Sequence, residues 1–298
     1  MRDARIFHVN VNCGDLERSR RFYADALGLN AAVRTAPDVV QPGVAFGLER
    51  ARWDAWVLVG ASGFDGGAVD LLEWQEPAPA GAPPSSFVTT GFQRLGIAVP
   101  DLEETVTRAT ELGGAIWSDV QEHELAGGAS VRLVMANDPD GVAVELIEGK
   151  GPRLSFVAVG CIQLDRSVAF YRTLGFTEVA RFAPEPRDAA HLRLEGPAAF
   201  DEVMLAAPGG GEVQLILVGF RTPAVVAGPA RPANALGMWR MAMLVRDLES
   251  SCAQLVALGV DTISPPVTMS MGPELPVLRF VCFAGPDGEV VELIEPPQ

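Results

Sequence analysis

An internal repeat is the feature that most limits what this 298-residue chain can fold into. The segment HVNVNCGDLERSRRFY, which begins at His8, matches FVAVGCIQLDRSVAFY, which begins at Phe156. Later in each half, DPDGVAVELIE from Asp138 matches GPDGEVVELIE from Gly285. Because self-similarity at a fixed spacing indicates duplicated structural units, the sequence predicts two related domains, 1–150 and 151–298.

Each half is itself made of two related segments. RLGIAVPDLEE from Arg94 repeats the strand and the Asp-Leu-Glu sequence of the first segment, and it matches RMAMLVRDLES from Arg240. The linkers EPAPAGAPPSS, EGKGPR and RTPAVVAGPARPANALG are rich in proline and glycine, which resist regular structure. We therefore expect four modules, covering 1–76 and 90–150 in the N-terminal domain and 151–220 and 236–298 in the C-terminal domain.

The periodicity within a module predicts its secondary structure. VNV and LGIAV alternate as β-strands do. In DLERSRRFYADALG, apolar residues recur at helical spacing, Asp15 can cap the helix N-terminus and Gly28 suits the position after its end. Three shorter apolar runs follow, so each module is predicted to be a βαβββ unit.

Four such units resemble the vicinal oxygen chelate superfamily, which includes glyoxalase I, bleomycin resistance proteins, methylmalonyl-CoA epimerase and extradiol dioxygenases. The motifs that carry the resemblance are HVNVNCGDLERSRRFYADALG, QLDRSVAFYRTLGF, DPDGVAVELIE and GPDGEVVELIE, and together they span nearly the whole chain. The resemblance implies an α+β fold in which the modules pair into two curved mixed-sheet cups. It implies little about activity, because the superfamily carries many chemistries.

Strand alternation predicts which side chains face the hollow of each cup. In the first strand, the apolar residues Val9, Val11 and Cys13 form one face, which leaves His8, Asn10 and Asn12 for the other. The resemblance implies that metal-dependent members hold a divalent ion with the first and last strands of two units. These positions are His8, Asp70, Arg94 and Glu145 in the N-terminal half and Phe156, Gln214, Arg240 and Glu292 in the C-terminal half. The predicted ligand-binding residues are Asn10, Asn12, Arg94, Arg240, Gln214 and Glu292.

The N-terminal set leaves three interpretations open. His8, Asp70 and Glu145 could hold Mn, Co, Ni, Fe or Zn. Arg94 stands at the fourth position and cannot coordinate a cation, because its guanidinium stays protonated. Arg94 could instead bridge Asp70 and Glu145 in a buried ion cluster, or it could anchor the ligand directly.

The C-terminal set is not expected to hold a metal ion. Phe156 has no donor atom, Arg240 has a fixed positive charge, and Gln214 and Glu292 alone are too few ligands. Non-haem iron dioxygenases need two histidines and a carboxylate, and this half contains only His191, so extradiol dioxygenase activity is not expected.

Three functions follow from these positions. The first is a binding protein for a small organic molecule, without a full metal-ligand set or any other cofactor. The second is a metal-dependent lyase, isomerase or epimerase, in which an ion held in the N-terminal cup acts as Lewis acid. The third is a metal-free enzyme, with Arg94 as electrostatic stabiliser and His8 or Glu145 as general base.

Composition limits the kinds of partner and the cellular location that we expect for this chain. With a formal net charge of −15, the chain is not expected to bind nucleic acid or an anionic membrane. Its four cysteines are far apart and form no CxxC pair, and the chain begins with no long apolar segment, so we expect a cytoplasmic protein. The sequence also allows a homodimer.

Overall fold

The computed structural model describes residues 1–124, 130–183 and 186–297. Module 1 contains β1 (Arg5–Asn12), α1 (Leu16–Arg21), β2 (Asn30–Thr35), β3 (Gln41–Pro42), β4 (Arg50–Gly60) and β5 (Gly63–Glu76). Module 2 contains β6 (Gly91–Val99), α2 (Leu102–Glu111), β7 (Ala115–Ile116), β8 (Gln121–Glu124), β9 (Ser130–Asn137) and β10 (Ala143–Glu148). Module 3 contains β11 (Arg153–Gly160), α3 (Leu164–Thr173), β12 (Thr177–Phe182), β13 (Arg187–Asp188), β14 (Pro197–Ala206) and β15 (Gln214–Thr222). Module 4 contains β16 (Gly237–Leu244), α4 (Leu248–Ala257), β17 (Val267–Met269), β18 (Leu278–Ala284) and β19 (Val290–Glu295).

The helices begin where the sequence predicts. The side chains of Asp15, Asp101 and Asp247 each accept a hydrogen bond from a backbone N–H in the first turn of the helix that follows. These bonds satisfy amide groups that have no partner within the helix. Helix α1 continues as a π-helical turn over Phe22–Ala26, and Gly28 follows with φ +81°, the left-handed conformation that glycine adopts without strain.

The modules pair differently from the expectation that each half forms its own cup. In one sheet, β1 of module 1 lies antiparallel to β16 of module 4. In the other, β6 of module 2 lies antiparallel to β11 of module 3. We call the cup formed by modules 1 and 4 the outer cup and that formed by modules 2 and 3 the inner cup, after the positions of the modules along the chain. Two curled mixed sheets are present as predicted, but each combines both halves of the sequence.

Large side chains face small ones where the paired modules meet. In the outer cup His8 lies opposite Ala242, and in the inner cup Phe156 lies opposite Gly96. A β-carbon added at Gly96 would lie 2.2 Å from the Phe156 ring. The antiparallel junction therefore needs a small residue at this position on one of its two strands.

The two modules of each half are joined through their helices. In the N-terminal half, Tyr23 donates a hydrogen bond to Asp138, while Ser19 and Arg18 contact Asp140. Asp138 and Asp140 lie in the turn between β9 and β10. The C-terminal half repeats the arrangement, with Tyr171 donating to Glu289 and Ser167 to Asp287. The largest apolar cluster contains strand and helix residues from all four modules.

No helix in the described ranges is both long enough and apolar enough to cross a membrane.

Candidate functional site

Four polar side chains meet at the floor of the outer cup. They come from the first and last strands of the two paired modules: His8 on β1, Asp70 on β5, Arg240 on β16 and Glu292 on β19. Arg240 donates from Nη2 to Asp70 Oδ2 and from Nε to Glu292 Oε2, at 2.9 Å in each case. His8 Nε2 lies 3.8 Å from Asp70 Oδ2 and 3.5 Å from Glu292 Oε2. Each of the four residues is less than one-tenth exposed.

The ion pairs at this floor favour the charged forms of Arg240 and Glu292. Burial alone would raise the pKa of Glu292, but the positive charge of Arg240 and its hydrogen bond lower that pKa overall. Burial alone would lower the pKa of Arg240, but the negative charges of Glu292 and Asp70 raise it. One guanidinium faces two carboxylates here, so these three groups together carry a charge of −1.

Several donor and acceptor atoms at this floor lack hydrogen-bond partners within the described part of the chain. They are both ring nitrogens of His8, the Asn10 carbonyl oxygen and Arg240 Nη1. His8 and Arg240 line the cavity of the cup. A ligand at the floor of the cavity would therefore lie against two residues, His8 and Arg240, that have unused hydrogen-bonding capacity.

Above the floor, the wall of the outer cup is mainly apolar, and several of its side chains are aromatic. The cavity has a volume of about 400 Å³ and is lined by side chains including Phe46, Trp53, Leu72, Leu275, Leu278 and Phe280. Phe46, from a 3₁₀ turn between β3 and β4, packs edge-on against Trp53 and lies 5.6 Å from Phe280 between ring centroids. This enclosure suits an apolar or aromatic molecule.

A segment of module 4 closes one side of the outer cup. Residues 270–277 connect β17 to β18, and Met271, Leu275 and Pro276 of this segment line the cavity. The segment is attached to module 1, because Gln41 donates to the Ser270 carbonyl oxygen and accepts from the Ser270 amide, at 3.0 and 2.8 Å. These hydrogen bonds from module 1 therefore fix in place a part of the cavity wall that module 4 supplies.

The inner cup has a related ion cluster without an imidazole at its centre. Arg94 donates from Nε to Glu145 at 2.6 Å and from Nη2 to Glu202 at 2.9 Å. Phe156 stands at the position that His8 has in the outer cup, and its ring lies 5.4 Å from the Arg94 guanidinium. The cavity is larger, about 850 Å³, and Gln214 is among its lining residues.

The positions expected to form one N-terminal site are therefore divided between two cups. His8 and Asp70 lie with Arg240 and Glu292, whereas Arg94 and Glu145 lie with Phe156 and Gln214. The predicted His8, Asp70 and Glu145 metal site is not formed, because Glu145 belongs to the other sheet. An arginine bridging two carboxylates was one of the interpretations of the sequence, and the structure contains two such clusters with different partners.

Asn10 and Asn12 are wholly buried beside the floor. Asn10 lies 3.4 Å from Asp70 Oδ2. Asn12 donates to the carbonyl oxygens of Ala233 and Ala235 and accepts from the Trp74 indole. These bonds tie β1 to the linker before module 4 and give Asn12 a structural role. A ligand-binding role for either asparagine stays a prediction.

Sequence reasoning missed two groups of residues. Glu202 lies on β14, whereas the resemblance pointed only to the first and last strands of each module. Phe46 and the 270–277 segment lie in connections between strands, where alternation gives no signal. The signal for Glu202 in the sequence is weak, because it is one of two adjacent acidic residues, Asp201 and Glu202, on a mainly apolar strand.

The residues at these floors do not fit the divalent ion of the metal-dependent superfamily members. In the outer cup Arg240 takes the fourth position and already binds the two carboxylate oxygens nearest His8. Two unit charges about 4 Å apart interact by about 4 kcal/mol at an effective dielectric near 20, so a dication beside Arg240 would be opposed by about 8 kcal/mol. Across the described residues, no group of three His, Cys, Asp or Glu side chains is arranged to hold a metal ion.

Comparison with known proteins establishes the family. The profile of the glyoxalase/bleomycin resistance protein/dioxygenase superfamily matches residues 5–146 and again 153–293. The chain therefore belongs to this superfamily, as its motifs predicted.

Two curated relatives carry the name probable lactoylglutathione lyase. The chloroplastic protein from Arabidopsis thaliana is 27% identical over 190 residues, which are 61% of this chain and 47% of that protein. The Vibrio parahaemolyticus protein is 25% identical over 150 residues, which are 50% of this chain and 94% of that protein. This chain thus matches only about half the length of the plant relative. Glyoxalase I from Zea mays shares the fold, with a TM-score of 0.66 at 22% identity over 98% of this chain and 92% of that chain.

Proposed function

We propose that this protein binds a small, mainly apolar organic molecule with a neutral hydrogen-bonding end in its outer cup, without a divalent ion. The observation that carries the proposal is Arg240, whose Nη1 has no hydrogen-bond partner among the described residues and which lines the floor of a mainly apolar cavity of about 400 Å³. A volume of this size lies toward the lower end of the range for small-molecule sites.

The apolar wall favours an aromatic body. Most of the side chains that line the cavity above the floor are apolar, and Phe46, Trp53 and Phe280 present ring surfaces. Burial of apolar surface contributes about 25 cal/mol per Å², and aromatic contacts of favourable geometry add about 1 kcal/mol. A bicyclic aromatic molecule would bury most of its surface in this cavity.

The charge balance of the floor favours a neutral polar end. Arg240 already shares its charge with Asp70 and Glu292, so a carboxylate on the ligand would bring a third negative charge to one guanidinium. A carbonyl or hydroxyl oxygen can accept from Arg240 Nη1 without that repulsion. This cup therefore favours a neutral oxygen over an anionic group.

Isothermal titration calorimetry with two probes of matched shape tests the proposal. 2-Acetylnaphthalene has a neutral carbonyl group where 2-naphthoate has a carboxylate. We expect the ketone to bind at least about tenfold more tightly, a difference of about 1.4 kcal/mol. Phe46→Leu in the outer cup should weaken binding, and Phe200→Leu in the inner cup should leave it unchanged. Tighter binding of the carboxylate, or equal effects of the two variants, would contradict the proposal.

Proton transfer without a metal is a second candidate function. It is favoured by His8, whose two ring nitrogens lack hydrogen-bond partners among the described residues and lie at the cavity floor. His8 could remove a proton from the carbon next to a ligand carbonyl, while Arg240 Nη1 stabilises the developing enolate oxygen. NMR in D₂O would detect this as deuterium entering the methyl group of 2-acetylnaphthalene. The exchange should disappear in His8→Gln, and exchange that persists there would exclude His8 as the base.

A further inference from the structure

At the floor of the outer cup, an arginine binds the two carboxylates that lie beside an imidazole. We infer that Arg240 substitutes for a divalent cation, and that His8, Asp70 and Glu292 form a latent three-residue ligand set that becomes available only when the guanidinium is removed. The inference concerns the floor alone and holds whether or not the proposed ligand is correct.

The first argument is the spacing of the donor atoms. His8 Nε2 lies 3.5 Å from Glu292 Oε2 and 3.8 Å from Asp70 Oδ2. Zinc bonds of about 2.0–2.1 Å in a tetrahedron place neighbouring ligand atoms about 3.3–3.4 Å apart. The His8 Nε2 atom thus lies within about half an ångström of this spacing from each of the two carboxylate oxygens.

The second argument is that Arg240 uses the same atoms. The oxygens that accept from Arg240, Asp70 Oδ2 and Glu292 Oε2, are also the oxygens nearest His8 Nε2. The guanidinium therefore sits against the oxygen pair that a cation would bridge. Because arginine stays protonated and offers no lone pair, it supplies the positive charge and excludes the ion.

The floor of the outer cup also needs a positive charge. Asp70 and Glu292 are 4% and 3% exposed, so their carboxylates have little access to water. Buried carboxylates that lose a cationic partner are strongly destabilising. Without Arg240 the floor would hold two unneutralised carboxylates beside an imidazole, which is a set of donors that zinc and cobalt bind well.

The inner cup supplies a matched control. Arg94 also bridges two carboxylates, Glu145 and Glu202, but Phe156 stands where the outer cup has His8. Removal of Arg94 would therefore expose two carboxylates without an imidazole. The same substitution in the two cups tests whether the imidazole completes a site.

The experiment compares cobalt binding by the full chain and its variants Arg240→Gln, Arg94→Gln and the double variant Arg240→Gln/His8→Ala. Cobalt is measured by ultrafiltration and by visible absorption, which is strong for a tetrahedral site. Arg240→Gln should bind about one Co²⁺ per chain at least about a hundredfold more tightly than the unaltered chain. Arg94→Gln and the double variant should show neither stoichiometric binding nor the tetrahedral absorption.

The folding of each variant is measured in the same experiment, because Arg240→Gln leaves two buried carboxylates without their cationic partner. Its melting temperature should rise on addition of Co²⁺, whereas Arg240→Lys, which keeps a cation at the floor, should fold and not respond. Three results would overturn the inference: stoichiometric Co²⁺ on the unaltered chain that His8→Ala removes, a folded Arg240→Gln that binds none, or an Arg240→Gln that stays unfolded in saturating Co²⁺ while Arg94→Gln folds.

Discussion

Replacement of Asp138 by asparagine should change how the stability of the protein depends on pH. Asp138 is 2% exposed and lies in the turn between β9 and β10. It accepts hydrogen bonds from the Tyr23 hydroxyl at 3.1 Å and from the backbone amides of Asp140 and Val142 at 2.9 and 2.8 Å. The carboxyl group thus joins helix α1 of module 1 to the last two strands of module 2.

The magnitude follows from the pKa of this carboxyl group. Burial, together with a smaller effect of the nearby charge of Asp140, raises the pKa of Asp138 to about 7 against the lowering effect of the hydrogen bonds from Val142, Asp140 and Tyr23. The folded state therefore holds a proton that the unfolded state releases near pH 4. Stability should fall as the pH rises from about 4 to about 7, and each pKa unit corresponds to about 1.4 kcal/mol, which gives about 4 kcal/mol in all.

Urea unfolding measured from pH 4.5 to 8.5 tests this prediction. As the pH rises, the unfolding free energy of the unaltered chain should fall relative to that of Asp138→Asn, because asparagine is neutral throughout this range. The exposed Asp119→Asn variant controls for the loss of a negative charge. If the curves for the unaltered chain and Asp138→Asn run parallel over this range, the carboxyl group does not titrate as the structure indicates.

Three further substitutions test how the cups are built. Asn12→Leu should cost about 3 kcal/mol in urea unfolding, because it leaves two buried linker carbonyls and the Trp74 indole without partners. Gly96→Ala should cost about 1–3 kcal/mol by the same assay, since its methyl group would overlap the Phe156 ring, and an unchanged stability would contradict the packing of the inner junction. Gln41→Ala should speed dissociation of 2-acetylnaphthalene in stopped-flow measurements, because it frees the 270–277 segment; an unchanged rate would show that this segment does not retain the ligand.

Much of the fold could be predicted because it is local and repeated. A helix cap such as Asp15 or Asp101 acts over a few residues, and so does the alternation of a strand. Because the modules are repeated, the same local signals occur several times along the sequence. The same alternation correctly placed His8 and Asp70 on the cavity side of the sheet. The pairing of Arg94 with Glu145 was also among the interpretations of the sequence, and these residues lie on neighbouring parallel strands of one module.

The pairing of modules could not be predicted, because the repeats make the candidate junctions equivalent. Gly96 could accommodate His8 across an antiparallel junction as readily as it accommodates Phe156, so strand patterns do not distinguish pairing within a half from pairing between halves. The choice depends on contacts far apart in sequence, such as the bonds from Asn12 to Ala233 and Ala235. The error in pairing placed Glu145 with His8 and left Glu292 out of the first candidate site.

A crystal structure of the protein with 2-acetylnaphthalene, with data collected above the absorption edges of the transition metals, tests the central claim most directly. We expect the ketone oxygen within hydrogen-bond distance of Arg240 Nη1, the rings against Phe46 and Trp53, and no anomalous peak at the floor. An anomalous peak between His8, Asp70 and Glu292, or ligand density in the inner cup alone, would contradict the account.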